Sequence, residues 1–126
     1  MPPIEKHSIF NYALLEPVGL GVAITPWNSP LLLAMSKLAT ALAAGCTLVK
    51  KPYEHASASL LEFTRLVEKA GIPPGLVNVV NGYGHEIGDA LVSHPWVAKI
   101  AFMGGKVDCT HVVQEFDALW CADKPT

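Results

Sequence analysis

Four short clusters hold the side chains that could do chemistry. The first is Ile24-Thr25-Pro26-Trp27-Asn28-Ser29-Pro30, in which two prolines and a tryptophan stiffen a turn ahead of a helix start. An amide N–H₂ held in such a turn can stabilise an oxyanion. Asn28 or Ser29 can equally cap the helix, and spacing alone favours the cap. In the second, Lys50-Lys51-Pro52-Tyr53-Glu54, an ammonium and a carboxylate three residues apart could grip the two hydroxyls of a ribose. The alternative, favoured by spacing alone, is an exposed ion pair worth about 0–1 kcal/mol.

The third cluster, Gly82-Tyr83-Gly84-His85-Glu86-Ile87-Gly88, is one residue too long for the G-x-G-x-x-G dinucleotide fingerprint. Its glycines would admit a diphosphate to the backbone, and would serve any tight strand-to-helix turn as well. The fourth, Phe102-Met103-Gly104-Gly105, is another backbone-accessible turn. His55, His85 and His94 lie in or beside turns and read as solvated. Cys109-Thr110-His111 with Cys121 matches no common zinc spacing, so no metal site is expected.

These clusters follow one another at the ends of a repeated unit: a β-branched apolar run, a turn rich in glycine or proline, then a helix-period segment. Strands are expected over Val18–Ile24, Cys46–Val49, Leu76–Val80 and Val97–Phe102. Helices are expected over Pro30–Ala44, with Pro30 at the first helical position, over Ser57–Ala70, and near Glu86–Ser93. The second helix should bury Leu60, Phe63, Val67 and Ala70 on one face. Strand ends that recur every twenty-odd to thirty residues imply βαβ crossovers, hence an α/β fold with an open parallel sheet. In such sheets ligands bind beyond the carboxyl ends of the strands, where all four clusters fall. After Gly105 the rhythm stops, leaving a weak helical pattern around Val112–Leu119.

The chain has 126 residues, 51% apolar and 16% charged, against a usual charged share of roughly 25%. That composition suits one domain or part of one and excludes a disordered tail. Residues 1–105 balance seven basic against seven acidic residues, and residues 106–126 supply the whole net charge of −2. Without a basic face, nucleic acid is not an expected partner. The apolar runs Leu31–Met35 and Leu38–Val49 fall short of the roughly 20 residues of a membrane span. Met1-Pro2-Pro3-Ile4-Glu5-Lys6 lacks the pattern of a secretory leader, so the expected compartment is the cytosol. Three cysteines without a short-spaced pair argue against a disulfide scaffold, and Cys46 reads as a packing residue.

Taken together, the motifs resemble the coenzyme-binding half of the NAD(P)-dependent aldehyde dehydrogenase superfamily over about Ser8–Gly105. They are Glu16-Pro17-Val18-Gly19, Ile24–Pro30, Lys37 with Ala39–Gly45, Lys51-Pro52-Tyr53-Glu54, Ala70–Gly75, Val77-Asn78-Val79-Val80 and Ala101-Phe102. The resemblance implies a Rossmann-like coenzyme domain, incomplete here. It implies that Asn28 is the oxyanion donor and that Lys51 and Glu54 hold the adenosine ribose, with Tyr53 between them. Ile24, Thr25, Pro26 and Trp27 would line the coenzyme cleft. Gly84 and Gly88 would lie beside the adenine, and Phe102, Gly104 and Gly105 beside the diphosphate.

In the family a cysteine thiolate attacks the aldehyde, hydride passes to the nicotinamide, and a glutamate activates water to hydrolyse the thioester. Both residues follow the positions that match Gly104-Gly105, and neither is found in this sequence. Met103 and Gly105 replace residues usual in the family, threonine and, in many members, serine. The expectation is therefore NAD, with NADP possible, bound weakly or not at all, and no aldehyde turnover by this chain alone. Residues 1–17 read as the remnant of a leading strand and pairing arm, its strand near Ile9–Glu16; residues 18–105 read as the coenzyme-binding segment, and residues 106–126 as a tail outside the resemblance. Alternative functions are a surviving dinucleotide-binding module, or an interaction module that self-associates or pairs with a full-length relative. An aldehyde would be engaged only by a complete enzyme.

Overall fold

A computed structural model describes residues 12–14 and 16–121. Its centre is a four-stranded parallel sheet of β1 (Leu20–Ile24), β2 (Thr47–Lys51), β3 (Val77–Val79) and β4 (Val97–Phe102), in the order β3-β2-β1-β4. Four helices accompany it: α1 (Pro30–Ala43), α2 (Ala58–Lys69), α3 (Asp89–Val92) and α4 (Lys106–Cys121). This is the open parallel α/β architecture expected, and its alternating strands and helices are those of a Rossmann-like domain.

Paired residues of parallel strands share a face, so Gly21 and Ala23 of β1 lie beside Leu48 and Lys50 of β2. On that face Ala23, Leu48, Leu38 of α1 and Val67 of α2 form the buried cluster, with Met35, Leu42, Phe63 and Ile72 packed around it. Removing each such leucine or valine from water contributes about 1.5–3 kcal/mol. Glycine closes α1. Gly45 (φ 73°) takes the left-handed turn, its N–H donates to the Leu42 carbonyl, and the Cys46 N–H donates to the Ala41 carbonyl at 2.9 Å. The same pair of bonds ends α2 at Gly71.

Several expectations need correction. α2 buries Leu60 and Val67 and half-buries Phe63, but Ala70 is the exposed residue that follows its last turn. The helix expected near Glu86–Ser93 begins as one wide π-type turn over Gly84–Gly88 and continues as the short α3. β2 starts and ends later than expected, so Lys50 and Lys51 belong to the strand rather than to the turn after it. Backbone pairing carries the ladder to Lys51, and Pro52, which has no N–H, stops it. Where the apolar spacing gave only a weak pattern around Val112–Leu119, α4 runs over Lys106–Cys121 and docks on α3 through a 3.0 Å contact of His111 Nε2 with Asp89 Oδ1. The strand expected near Ile9–Glu16 lies largely outside the described residues; Tyr12–Leu14 are irregular and exposed.

Lys50 is 1% exposed, and its ammonium has no hydrogen-bond partner among the described residues. Burial, and after it the Lys37 ammonium, lowers its pKa from 10.5 to about 8. Between those two values the unfolded chain binds more protons than the folded one, so stability rises with pH over that window and carries the full penalty below pH 8. Lys50→Met is expected to raise stability at pH 7 by about 3 kcal/mol. Denaturant melts at several pH values check this: the gap between variant and parent should close from pH 8 towards 10.5, and a gap independent of pH would contradict the assignment.

Candidate functional site

β1 lies between β2 and β4, and Ile24 at its end is level with Lys51 on one side and Phe102 on the other. Two hydrogen bonds extend that alignment past the strands: the Thr25 N–H donates to the Lys51 carbonyl and the Met103 N–H to the Ile24 carbonyl, each at 3.1 Å. The chain segments that follow the three strands therefore emerge side by side. Between them opens a cleft of about 540 Å³ lined by Ile24, Pro26, Trp27, Asn28, Tyr53, Phe102, Met103, Gly104, Gly105 and Asp108. Its volume lies within the range of small-molecule sites. A smaller pocket of about 360 Å³ shares Trp27 and Tyr53 and adds His55 and Ala56, extending the depression along the turn Glu54–Ala56.

Eight anticipated residues meet in this cleft: Ile24, Pro26, Trp27, Asn28, Tyr53, Phe102, Gly104 and Gly105. Thr25, Lys51, Glu54, Gly84 and Gly88 do not line it. Thr25 is 2% exposed and its hydroxyl has no partner among the described residues. Gly84 and Gly88 sit in the wide turn before α3, which follows the edge strand β3.

Neither capping nor ion pairing uses up the polar groups. Ser29 precedes α1 in a left-handed conformation (φ 52°, ψ 49°) and makes no side-chain cap; only its backbone carbonyl accepts, from the Leu33 N–H at 3.1 Å. Holding a β-carbon residue in that conformation costs about 1–2 kcal/mol, which the rigid Pro26–Pro30 turn sustains. The exposed Asn28 amide makes no hydrogen bond with the described residues, so it remains available to a ligand. The exposed Lys51–Glu54 ion pair is likewise not formed: Lys51 is 4% exposed and its Nζ donates to the Pro52 carbonyl at 3.4 Å. His55, His85 and His94 are exposed and Cys46 is buried.

Two lining residues lie outside the anticipated set: Met103, which stood in the fourth motif without an assigned role, and Asp108, which had no signal in the motifs. Met103 enters because the turn after β4 carries it there. Asp108 enters from the first turn of α4.

A cleft at the carboxyl ends of an open parallel sheet marks the class as a Rossmann-like α/β domain, and the comparisons with known proteins give the family. The chain belongs to the aldehyde dehydrogenase family, whose model its residues 2–120 match. That span includes residues 106–120, for which the motifs carried no resemblance. Among relatives, (Z)-2-((N-methylformamido)methylene)-5-hydroxybutyrolactone dehydrogenase of Acinetobacter baylyi is 49% identical over 112 residues, 89% of this chain and 23% of its own length. Aminoaldehyde dehydrogenase 1 of Malus domestica is 52% identical over 81% of this chain and 20% of its own. Among solved structures, betaine aldehyde dehydrogenase of Staphylococcus aureus in complex with NAD⁺ superposes with a TM-score of 0.81 at 40% identity, over 83% of this chain and 21% of that one. The chain thus spans about a fifth of the length of the relatives it matches. The family's catalytic cysteine and glutamate region is not among its 126 residues.

The residues present fit the uncharged parts of a dinucleotide: aromatic walls from Trp27, Tyr53 and Phe102, a free amide, and a glycine turn. For its diphosphate the cleft offers only the backbone of that turn: it is lined by one carboxylate and by no lysine or arginine. The glycine turn is closely packed on one side, since a Cβ on Gly104 would stand 2.5 Å from Cζ of Phe102. The Phe102 ring is the movable partner, so Gly104→Ala is expected to turn that ring into the cleft while changing stability by less than about 1 kcal/mol. Ring resonances of Phe102 beside a thermal melt check this; an unshifted ring with an unchanged melt would refute the contact.

Proposed function

We propose that this chain is the coenzyme-binding segment of an NAD(P)-dependent aldehyde dehydrogenase, unable to oxidise aldehydes by itself and weak in binding the dinucleotide. The observation that carries the reading is the shared level of three strand ends, which gathers eight anticipated residues around one cleft with Asn28 unpartnered. Asn28 would donate to an oxyanion, and Lys51 and Glu54 would hold the adenosine ribose. The ribose role asks Lys51 to leave the Pro52 carbonyl, which costs little at 3.4 Å. Bound there, NAD would supply the hydride acceptor for the family's oxidation of aldehydes to acids. Glu54 disfavours a 2′-phosphate by like-charge repulsion, so NAD is preferred to NADP. A cytosolic setting fits the free thiols of Cys46 and Cys109.

Calorimetry is expected to give NAD binding near the millimolar range, equivalent to roughly −4 kcal/mol. Lys51→Ala with Glu54→Ala should abolish it; tight binding that survives the double substitution would reject the ribose assignment. No NADH should accumulate above a heat-killed control with any of several aldehydes, because an oxyanion donor without a nucleophile gives no turnover. Turnover abolished by Cys109→Ser would overturn this and give the cysteine of α4 a catalytic role.

Exposed apolar side chains favour self-association as a second property of the same chain. Leu31 and Leu32 of α1 are 41% and 70% exposed, Leu66 of α2 52% and Trp96 79%. β3 and β4 each leave one edge of the described sheet unpaired. Soluble oligomers and binding of a hydrophobic dye are expected at micromolar concentration. A monomeric elution volume without dye binding would refute this.

A further inference from the structure

The cleft has one charged lining side chain, and its sign is wrong for a phosphate. Asp108 stands in the first turn of α4, with Oδ2 3.1 Å from the point a Gly105 Cβ would occupy, over the backbone that an incoming phosphate would have to reach. No hydrogen bond or ion pair with the described residues engages that carboxylate. No lysine or arginine lines the cleft beside it, the exposed Lys106 that follows Gly105 included. Lys51 is covered and turned to the Pro52 carbonyl, Lys50 is buried, and neither lines the cleft. The remaining lining is aromatic, aliphatic or amide in character, with Trp27 67% exposed.

We propose that Asp108 is a specificity-determining residue that bars phosphate from the Gly104–Gly105 turn, so that the site accepts an uncharged nucleoside in preference to the corresponding diphosphate. The proposal rests on the dinucleotide reading above and makes its weakness a matter of charge. An uncharged nucleoside ends short of the turn and does not meet the carboxylate. A nucleoside diphosphate brings its negative charge to the turn and is repelled there. Because the repulsion acts between exposed charges, salt weakens it. Diphosphate binding to this chain should therefore strengthen as ionic strength rises, the reverse of what a cationic phosphate site would do.

The test titrates the full chain and Asp108→Asn with adenosine and with ADP, at low and at high salt, following the indole resonance of Trp27. Asp108→Asn is expected to tighten ADP binding roughly fivefold, the effect of two charges about 4 Å apart in water, and to leave adenosine unchanged. The parent chain should bind ADP better at high salt, and the variant should not. Circular dichroism checks that the variant is folded; Asp108→Ser gives a second neutral residue, and the salt dependence of the parent needs no variant at all. Adenosine binding with equal ADP affinity in parent and variants, or ADP binding that weakens with salt in the parent, overturns the charge gate alone. Failure of adenosine to bind any of the proteins overturns the dinucleotide reading, and the gate with it.

Discussion

Ile24 is hydrogen-bonded into a ladder on both sides, and the level at which that ladder ends fixes where everything else can be. Because β1 is central, its register with β2 sets Lys51 beside Ile24, and its register with β4 sets Phe102 beside Ile24. The buried Ala23 and Leu48, with Leu38 and Val67 over them, resist any slip. A slip of one residue would turn these side chains to the opposite face. Pro26–Asn28, Tyr53 and the Gly104–Gly105 turn are thus held around one cleft by packing that contains none of them.

Much of this was legible in the sequence because two periodicities and a few punctuating residues carry it. Gly45 and Gly71 end helices where left-handed turns were needed, Pro30 opens α1, and the four strands were located to within a few residues. The errors share a physical cause. Lys50-Lys51 looked like the end of a strand because charge seldom lies inside a sheet, whereas the backbone ladder continued to Pro52 regardless of side chain. Asn28 and Ser29 looked like caps because their types favour caps; the left-handed Ser29 backbone placed neither side chain in that role. Asp108 gave no signal at all. Its presence in the cleft depends on where α4 starts, and α4 has too weak an apolar stripe to be placed from spacing.

Charge distribution separates this chain's behaviour from what its motifs suggest. The ammonium groups of Lys50 and Lys51 are withdrawn into the sheet, and the charge that does reach the cleft is the carboxylate of Asp108. One consequence is thermodynamic, since a buried cation without a partner among the described residues subtracts from stability below pH 8. The other bears on the proposed function, since the cleft assigned to a dinucleotide presents the same sign as its diphosphate. On the proposed reading, sheet geometry and aromatic lining follow the aldehyde dehydrogenase pattern while the charge in the cleft works against affinity for the coenzyme.

The central claim is that one cleft, at the carboxyl ends of β1, β2 and β4, is where this chain meets a dinucleotide. Mapping backbone amide shifts on addition of NAD at millimolar concentration tests it most directly. The account expects the perturbed amides to cluster in residues 24–28, 53–54 and 102–105, at the mouth of the cleft. Shifts centred instead on Glu16, Lys37 and Lys99, which line a separate cavity of about 520 Å³, would contradict it.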